Sequence, residues 1–274
     1  MLPLLLIVPL AMATEPTAVK VDYHPTEPWP VGQKLYVAGP EGNLRAAAST
    51  DAPVVTELDL GTPVIVQSVM SADVDVGGRT DRWYAIKAED TGKQGVLFGG
   101  VLTPARLDVD LDQDGEAEVL VLTWGWDTHK VVRVREPALS GAGAVTQLDM
   151  GQTNDIEGPQ VEMFLRVTAA ADTGIPLVHV TLNGREMCGS GSSGHYVSYR
   201  SEGPGALGVL REAVDEHSWG DAPVYSRQHL AFHPADKAVT VRSEMGNYDE
   251  GTETVTEERR VLQDGVFVAE GPAD

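Results

Sequence analysis

The residues best suited to chemistry form a short acidic run, D-x-D-x-D-G-x-x-E, that begins at Asp110. Carboxylates at alternate positions of a tight loop converge on one centre, and Gly115 permits the sharp turn that this requires. Hard oxygen ligands in this number suit Ca²⁺, and the backbone carbonyl of Glu116 is available as a further ligand. We therefore predict a structural calcium site formed by Asp110, Asp112, Asp114, Glu116 and Glu118.

The loop is not an EF-hand. That motif needs a bidentate Glu at its twelfth position, which is Val121 here, and a helix on each side, whereas residues 119–122 predict a strand. The run resembles the D-x-D-x-D-G-x-x-[DE] loops that precede strands in integrin-type FG-GAP repeats. Those propellers carry several such loops and this chain has one, so the resemblance covers the loop and not the fold. An acidic surface turn without an ion is the alternative.

A cysteine and a histidine offer a second kind of chemistry. Cys188 and His195 are the residue types of a thiol peptidase, but the Gly/Ser-rich residues 189–194 follow the cysteine. A catalytic thiol needs a helix N-terminus or a cationic neighbour to lower its pKa, so we expect a structural cysteine. Residues 189–194 also match G-x-G-x-x-G, yet a strand-like run follows them, and we predict a flexible loop instead of a dinucleotide site.

Acidic clusters leave a hydrolase open as an alternative. Residues 212–216 and 249–253 contain paired carboxylates of the type that cleaves glycosidic bonds. Trp124 and Trp126 alternate along a predicted strand, as a sugar-stacking platform would. In a chain with 41 acidic residues, solvated acids and buried tryptophans explain these features more simply.

Short strands separated by turn residues are the elements that must position these groups. Such runs lie at residues 34–38, 63–68, 83–87, 95–98, 118–124, 130–135, 161–167, 177–182, 196–200, 238–242 and 266–269. No amphipathic helix of three turns appears, and three glycines weaken the nearest case at 205–216. The pattern predicts an all-β chain.

Length and charge narrow the function classes. A chain of 274 residues forms one large domain or two ordinary ones. The net charge of −21 argues against nucleic acid and against docking on anionic lipid. Residues 105–274 carry 13 basic and 29 acidic side chains, so most of this charge lies in the second part of the chain.

The first residues have the pattern of an export signal. Residues 1–13 are an apolar run that ends in Ala-Met-Ala, which is typical of a cleaved signal peptide and too short to span a bilayer. The proline-rich residues 14–30 predict an extended leader. We expect a periplasmic or secreted protein without membrane insertion.

Residues 31–104 contain apolar runs and glycine turns in a defined order. The runs are Leu-Tyr-Val at 35–37, Asn-Leu-Arg-Ala at 43–46, Gly-Thr-Pro-Val-Ile-Val at 61–66, Trp-Tyr-Ala-Ile-Lys at 83–87 and Gly-Val-Leu-Phe-Gly-Gly-Val-Leu at 95–102. This order resembles that of bacterial SH3-like (SH3b) domains. The chain departs from the family by an insertion at 70–80 and by Val96, where the family usually has an aromatic residue.

The resemblance implies a small barrel that binds cell-wall peptide or accompanies an enzyme, with a purely structural barrel as the alternative. It makes Tyr36, Arg45, Trp83 and Tyr84 the candidate ligand-binding residues.

We therefore predict an all-β fold, in which a small SH3-like barrel (31–104) is followed by a larger antiparallel β-sandwich or barrel (105–274). The expected function is that of an exported, non-enzymatic binding protein whose partner is cell-wall peptide or an envelope protein. A cell-wall or polysaccharide hydrolase with its site in 105–274 is the alternative.

Overall fold

The computed structural model describes residues 18–23, 27–39, 41–124, 129–152, 161–185, 189–221 and 223–271. The predicted signal segment, Cys188 and Trp126 lie outside the described residues. The prediction of an all-β chain is confirmed, because strands dominate the described residues and all their pairings are antiparallel.

The strands of the first half are β1 (Ala18–Tyr23), β2 (Lys34–Val37), β3 (Glu41–Arg45), β4 (Val54–Asp59), β5 (Pro63–Val69), β6 (Val74–Val76), β7 (Arg79–Asp81), β8 (Trp83–Ala88), β9 (Gln94–Phe98), β10 (Leu102–Thr103), β11 (Arg106–Val109), β12 (Glu118–Trp124) and β13 (His129–Arg135). Those of the second half are β14 (Val145–Gln152), β15 (Val161–Thr168), β16 (Leu177–Arg185), β17 (Gly189–Arg200), β18 (Val209–Asp221), β19 (Val224–His233), β20 (Ala238–Asn247), β21 (Thr252–Gln263) and β22 (Val266–Ala269). A single helical turn, α1 (Ala170–Thr173), and short 3-10 turns at Gly99–Val101, Ala142–Ala144 and Pro234–Asp236 complete the elements.

The first large sheet has seven strands in the order β10-β2-β5-β8-β9-β3-β4. Its core is built from alternating residues of these strands, such as Leu35, Val64 and Ile86. Within the described residues, its end strands β10 and β4 do not pair with each other, so the sheet stays open. The resemblance to SH3b domains stays a prediction.

The insertion at 70–80 forms a hairpin of β6 and β7. Its turn is Gly77-Gly78, and both residues have positive φ, as a tight two-residue turn between twisted strands requires. Val74 and Val76 pack against the cluster of Trp83, Val96 and Phe98, so the hairpin covers this small core.

The larger part is a sandwich, one of the two forms predicted. A four-stranded sheet (β11-β12-β13-β14) packs against a nine-stranded sheet (β1-β15-β16-β17-β18-β19-β20-β21-β22). β12 lies in the middle layer. Its Leu120 and Leu122 point into the sandwich, whereas Val119 and Val121 pack on Leu60 of the first sheet. Burial on both faces explains the continuous apolar run of this strand.

A buried arginine joins the two parts. Arg133 Nη1 donates to the carbonyl of Ala38 at 3.0 Å and to Thr123 Oγ1 at 2.7 Å. Gly61 permits the close approach, since a Cβ at this position would lie 2.3 Å from Val119. The seven-stranded and four-stranded sheets are therefore packed against each other with hydrogen bonds across the junction.

The predicted leader is partly strand. Ala18–Tyr23 forms the first edge of the nine-stranded sheet and pairs with β15. The alternating sequence AVKVDY carries this signal, and Val19 packs on the core of the sandwich. The nine-stranded sheet therefore draws its first strand from residues that precede the seven-stranded sheet in the chain.

The predicted flexible loop at 189–194 is wrong. Gly189–Arg200 is one long strand that pairs with β16 on one side and β18 on the other. Hydrogen bonding on both edges outweighs the weak strand propensity of glycine. Gly194 is required by packing, because a Cβ would lie 2.7 Å from Glu216 Cγ and 3.0 Å from His179 Nε2.

The nine-stranded sheet folds back on itself at β18. This strand pairs with β17 along its length but with β19 only at Ser218–Asp221. The later strands then cover the outer face of β16 and β17, where Val239 and Phe267 pack with Tyr196. Within the described residues, no helix has the length and apolar character needed to cross a membrane.

Candidate functional site

The acidic run occupies the loop of a β-hairpin. β11 and β12 pair from Arg106 opposite Val121 to Val109 opposite Glu118, so the loop begins and ends at one point. This closure brings the first and last acids of the motif together, although seven positions separate them in sequence. The carboxylates of Asp110, Asp112, Asp114 and Glu118 offer oxygens that all lie within 4.8 Å of one another. Oxygens at this mutual spacing can surround one cation of the size of Ca²⁺.

Backbone N–H groups hold the loop carboxylates in place. The Asp114 amide donates to Asp110 Oδ1 at 3.1 Å and to Asp112 Oδ1 at 3.2 Å. The amide of Gly115, which has φ +96°, donates to Asp110 Oδ2 at 3.0 Å. Leu111, buried in the sandwich core, anchors the loop from below. The acids are therefore oriented by their own loop before any ion binds.

Glu118 lies at the buried end of this group of carboxylates. Its side chain has no exposed surface, and its Oε2 accepts the Leu111 amide at 2.6 Å. Its other oxygen, Oε1, is buried without a hydrogen-bond partner. Burial, with a smaller contribution from the charge of Asp112, raises the pKa of Glu118 to about 7. A carboxylate in this position lacks a positive partner within the described residues.

Glu116, the fifth predicted residue, is placed differently. Its side chain is exposed and is not among the four converging carboxylates. Its amide donates to Asp114 Oδ1 at 2.8 Å, so its backbone is part of the loop. Ligation of calcium by the backbone carbonyl of Glu116 stays a prediction.

Glu136 is a carboxylate that the motif does not contain. It follows β13, has no exposed surface, and its Oε2 is buried without a hydrogen-bond partner. Burial raises the pKa of Glu136, and the charges of Asp112 and Asp114 add to this effect. The signal in the sequence was a glutamate directly after an apolar strand, but its proximity to the loop depends on strand pairing that the sequence does not show.

The outer oxygens of two loop acids hold a second loop. Ser201 Oγ donates to Asp112 Oδ2 at 2.5 Å, and the Gly205 amide donates to Asp114 Oδ2 at 3.2 Å. Both partners lie in the connection between β17 and β18, about ninety residues away in sequence. A cleft of about 740 Å³ lies beside these contacts, with Gln113, Lys237 and parts of both loops along its walls. The acidic loop therefore shapes one wall of the cleft.

Two of the four residues predicted to bind a ligand through the SH3-like part are buried. Trp83 and Tyr84 are only 4% and 1% exposed, which leaves little ring area for a ligand. Arg45 Nη1 donates to the carbonyl of Ala52 at 2.8 Å. Their role as a common binding site stays a prediction without geometric support.

Tyr36 lies at the junction between the two parts of the chain. Its ring has Lys34 Nζ at 5.9 Å and Arg106 Cζ at 5.3 Å from the ring centre. Arg106 also donates to the carbonyl of Gly61 and forms three hydrogen bonds to Asp108. The arginine of the larger part therefore covers one side of this predicted ligand-binding ring.

A second polar cluster lies within the nine-stranded sheet. His179 is 3% exposed, accepts a hydrogen bond from Arg166 Nε at 2.8 Å, and stacks on Tyr196 with 4.0 Å between ring centres. Its Nε2 lies 3.3 Å from Glu216 Oε1. Burial lowers the pKa of His179, and the hydrogen bond from His179 lowers the pKa of Glu216. Each polar group of this cluster has a partner inside the chain.

The remaining predicted constellations do not converge. Glu212 bonds to His195, and Glu216 to His179, so the acids of 212–216 serve different partners. Trp124 ends β12, and its predicted partner Trp126 lies outside the described residues, as does Cys188. The loop at 110–118 is therefore the candidate functional site. In comparisons with known proteins, the chain matches no family model, no curated protein and no solved structure.

Proposed function

We propose that this chain is a non-catalytic binding protein of the cell envelope or extracellular space, stabilised by a calcium ion at the loop 110–118. The observation that carries the proposal is the convergence of four carboxylates, one of which, Glu118, has a buried oxygen without a hydrogen-bond partner among the described residues. Acidic turns on a surface disperse their charges into water, whereas this group directs charge inward. A divalent cation would supply the missing partner.

The position of the loop supports a structural ion. The loop closes the hairpin whose second strand, β12, packs on both neighbouring sheets. Two of its carboxylates also hold the connection between β17 and β18. An ion at this point would fix the hairpin, the neighbouring loop and the wall of the cleft together. We infer that calcium affects ligand binding by keeping this wall in place.

The partner proposed is cell-wall peptide or an envelope protein. It follows from the export-type N-terminus and the SH3-like order of residues 31–104. The cleft beside the loop supplies a concave surface of the size that binding sites use. The net charge of −21 fits neither nucleic acid nor an anionic membrane as the partner.

Co-sedimentation with insoluble peptidoglycan tests this function. The full chain is incubated with the wall fraction in calcium and in chelator, beside the variants Glu118→Gln and Glu250→Gln. Glu250 is an exposed acid in the turn between β20 and β21, away from the cleft, so its variant controls for the loss of one negative charge. We expect retention in calcium, weaker retention in chelator, and loss of the calcium effect in Glu118→Gln alone.

Two outcomes would contradict the proposal in different ways. No retention in either condition would exclude wall peptide as the partner. Equal retention in calcium and chelator would separate wall binding from the loop at 110–118, and binding would then have to be sought on the seven-stranded sheet.

A further inference from the structure

Glu136 lies next to Glu118 because of the register of two strands. β12 and β13 pair with Val119 opposite Arg135. The next residues outward are Glu118 and Glu136, and residues that are opposite in an antiparallel pair extend their side chains to the same face. Two buried glutamates therefore lie on the same face at the base of the acidic loop, where burial and, to a smaller extent, the charge of Glu136 raise the pKa of Glu118.

The hydrogen bonds of Glu136 are incomplete. Its Oε1 accepts the Ala138 amide at 3.2 Å, and its Oε2 has no partner. Glu118 shows the same pattern, with Oε2 bonded to the Leu111 amide and Oε1 unpaired. A buried carboxylate oxygen without a partner is costly, and two of them side by side are rare in a folded protein.

The neighbouring charges that shift the pKa of Glu136 are negative. Beyond the effect of burial, Asp112, Asp114 and Glu116 raise its pKa, and within the described residues no Lys, Arg or His forms an ion pair with it. Like charges in a buried position repel each other unless a cation lies between them. Among the described residues, the acidic loop and Glu136 therefore both lack a positive partner, which one cation could supply.

We propose that Glu136 belongs to the calcium site and binds the ion through a bridging water. This inference rests on the proposed function. Glu136 is not among the four carboxylates whose oxygens lie within 4.8 Å of one another, so direct ligation of the same ion does not fit its position. Calcium loops commonly complete their shell with a water that an acidic side chain holds. Glu136 is then a positioning residue, and it sets the affinity of the site from its buried side.

Calorimetric titration with Ca²⁺ tests this role in the full chain. The proteins compared are the wild type, Glu136→Gln, Glu136→Asp and the control Glu250→Gln. Outer-sphere partners of a metal typically change its affinity by about 10- to 100-fold. We expect Glu136→Gln to weaken calcium binding by at least about tenfold. Glu136→Asp should also weaken it, because the shorter side chain retains the charge but moves the oxygen away from the water. Glu250→Gln should bind as the wild type does.

Luminescence of bound Eu³⁺ gives a second readout that a purely structural role would not change. Lifetimes in H₂O and D₂O count the waters on the ion, and we expect at least one in the wild type. An ion without a water ligand would overturn the bridging role.

The titration separates this inference from the proposed function. Wild-type protein that binds no calcium would overturn both. Wild-type binding with an unchanged affinity in Glu136→Gln, or in Glu136→Asp, would overturn the role of Glu136 and leave the calcium loop intact. Circular dichroism of the variants in chelator identifies a folding defect, and the Asp variant then carries the test.

Discussion

Two acidic regions of the larger sandwich differ in whether the chain itself supplies a partner for a buried carboxylate. Glu216 on β18 is partly buried, and His179 gives it a hydrogen-bond partner that lowers its pKa. Glu118 on β12 is fully buried, has an unpaired oxygen, and its pKa is raised to about 7. In the first region, the chain itself supplies the partner of the carboxylate. In the second region, a cation from outside the chain has to supply it, and this difference makes the loop at 110–118 the candidate functional site.

The largest effect is expected from removing the central residue of the complete region. His179→Ala deletes a ring that stacks on Tyr196 and leaves Arg166 and Glu216 without their shared partner. We expect a loss of about 3 kcal/mol in the free energy of unfolding, the same in calcium and in chelator. Urea denaturation in both conditions measures it. A loss that appears only in calcium would show that the two regions are coupled.

Calcium itself should have the next largest effect. At about a hundredfold excess over its dissociation constant, a ligand that binds only the folded state adds about 2.7 kcal/mol to the free energy of unfolding. We expect this gain in the wild type and in His179→Ala, and its absence in Glu118→Gln. Thermal unfolding with calcium, magnesium or chelator measures it. An equal gain in Glu118→Gln would place the ion elsewhere.

In chelator, the contributions of the two regions to the free energy of unfolding should change with pH in opposite directions. The pKa of His179 is lowered from 6.5, so on acidification the unfolded chain binds the proton first and the fold loses stability. The pKa of Glu118 is raised from 4.5 to about 7, so the folded chain binds the proton first and the fold gains stability over this range. The free energy of unfolding is measured by denaturation between about pH 7.5 and about pH 5. His179→Gln should lack the loss of stability on acidification, and Glu118→Gln should lack the gain. Differences of the same sign in the two variants would contradict these environments.

The smallest effect is expected from the contact between the two loops. Ser201→Ala removes the hydrogen bond to Asp112 Oδ2, which is worth about 1 kcal/mol. Hydrogen exchange of residues 201–208 should slow on calcium addition in the wild type and less so in the variant. Exchange in this segment that calcium does not change in the wild type would separate the cleft wall from the ion.

The sequence predicted those features that depend on neighbouring residues. The strand Glu118–Trp124 and the acidic loop before it were both readable, because period, turn residues and ligand spacing are local. The all-β class followed from the same signals.

Features that depend on distant pairing were not readable. Glu136 reaches Glu118 only through the register of β12 and β13, and Ser201 reaches Asp112 across about ninety residues. The sequence predicts a loop over residues 189–194, where glycine and serine disfavour a strand, yet pairing on both edges makes Gly189–Arg200 one strand. In each case tertiary contacts outweigh local preference.

Isothermal titration of the full chain with calcium tests the central claim most directly. The wild type should give a single-site isotherm, and Glu118→Gln should give none, while Glu250→Gln binds as the wild type does. Such a result would show that a cation binds beside Glu118, whose buried Oε1 has no hydrogen-bond partner in the described part of the chain. No heat of binding in the wild type up to millimolar calcium, together with an unchanged unfolding temperature, would contradict the account and leave residues 110–118 as an acidic hairpin turn.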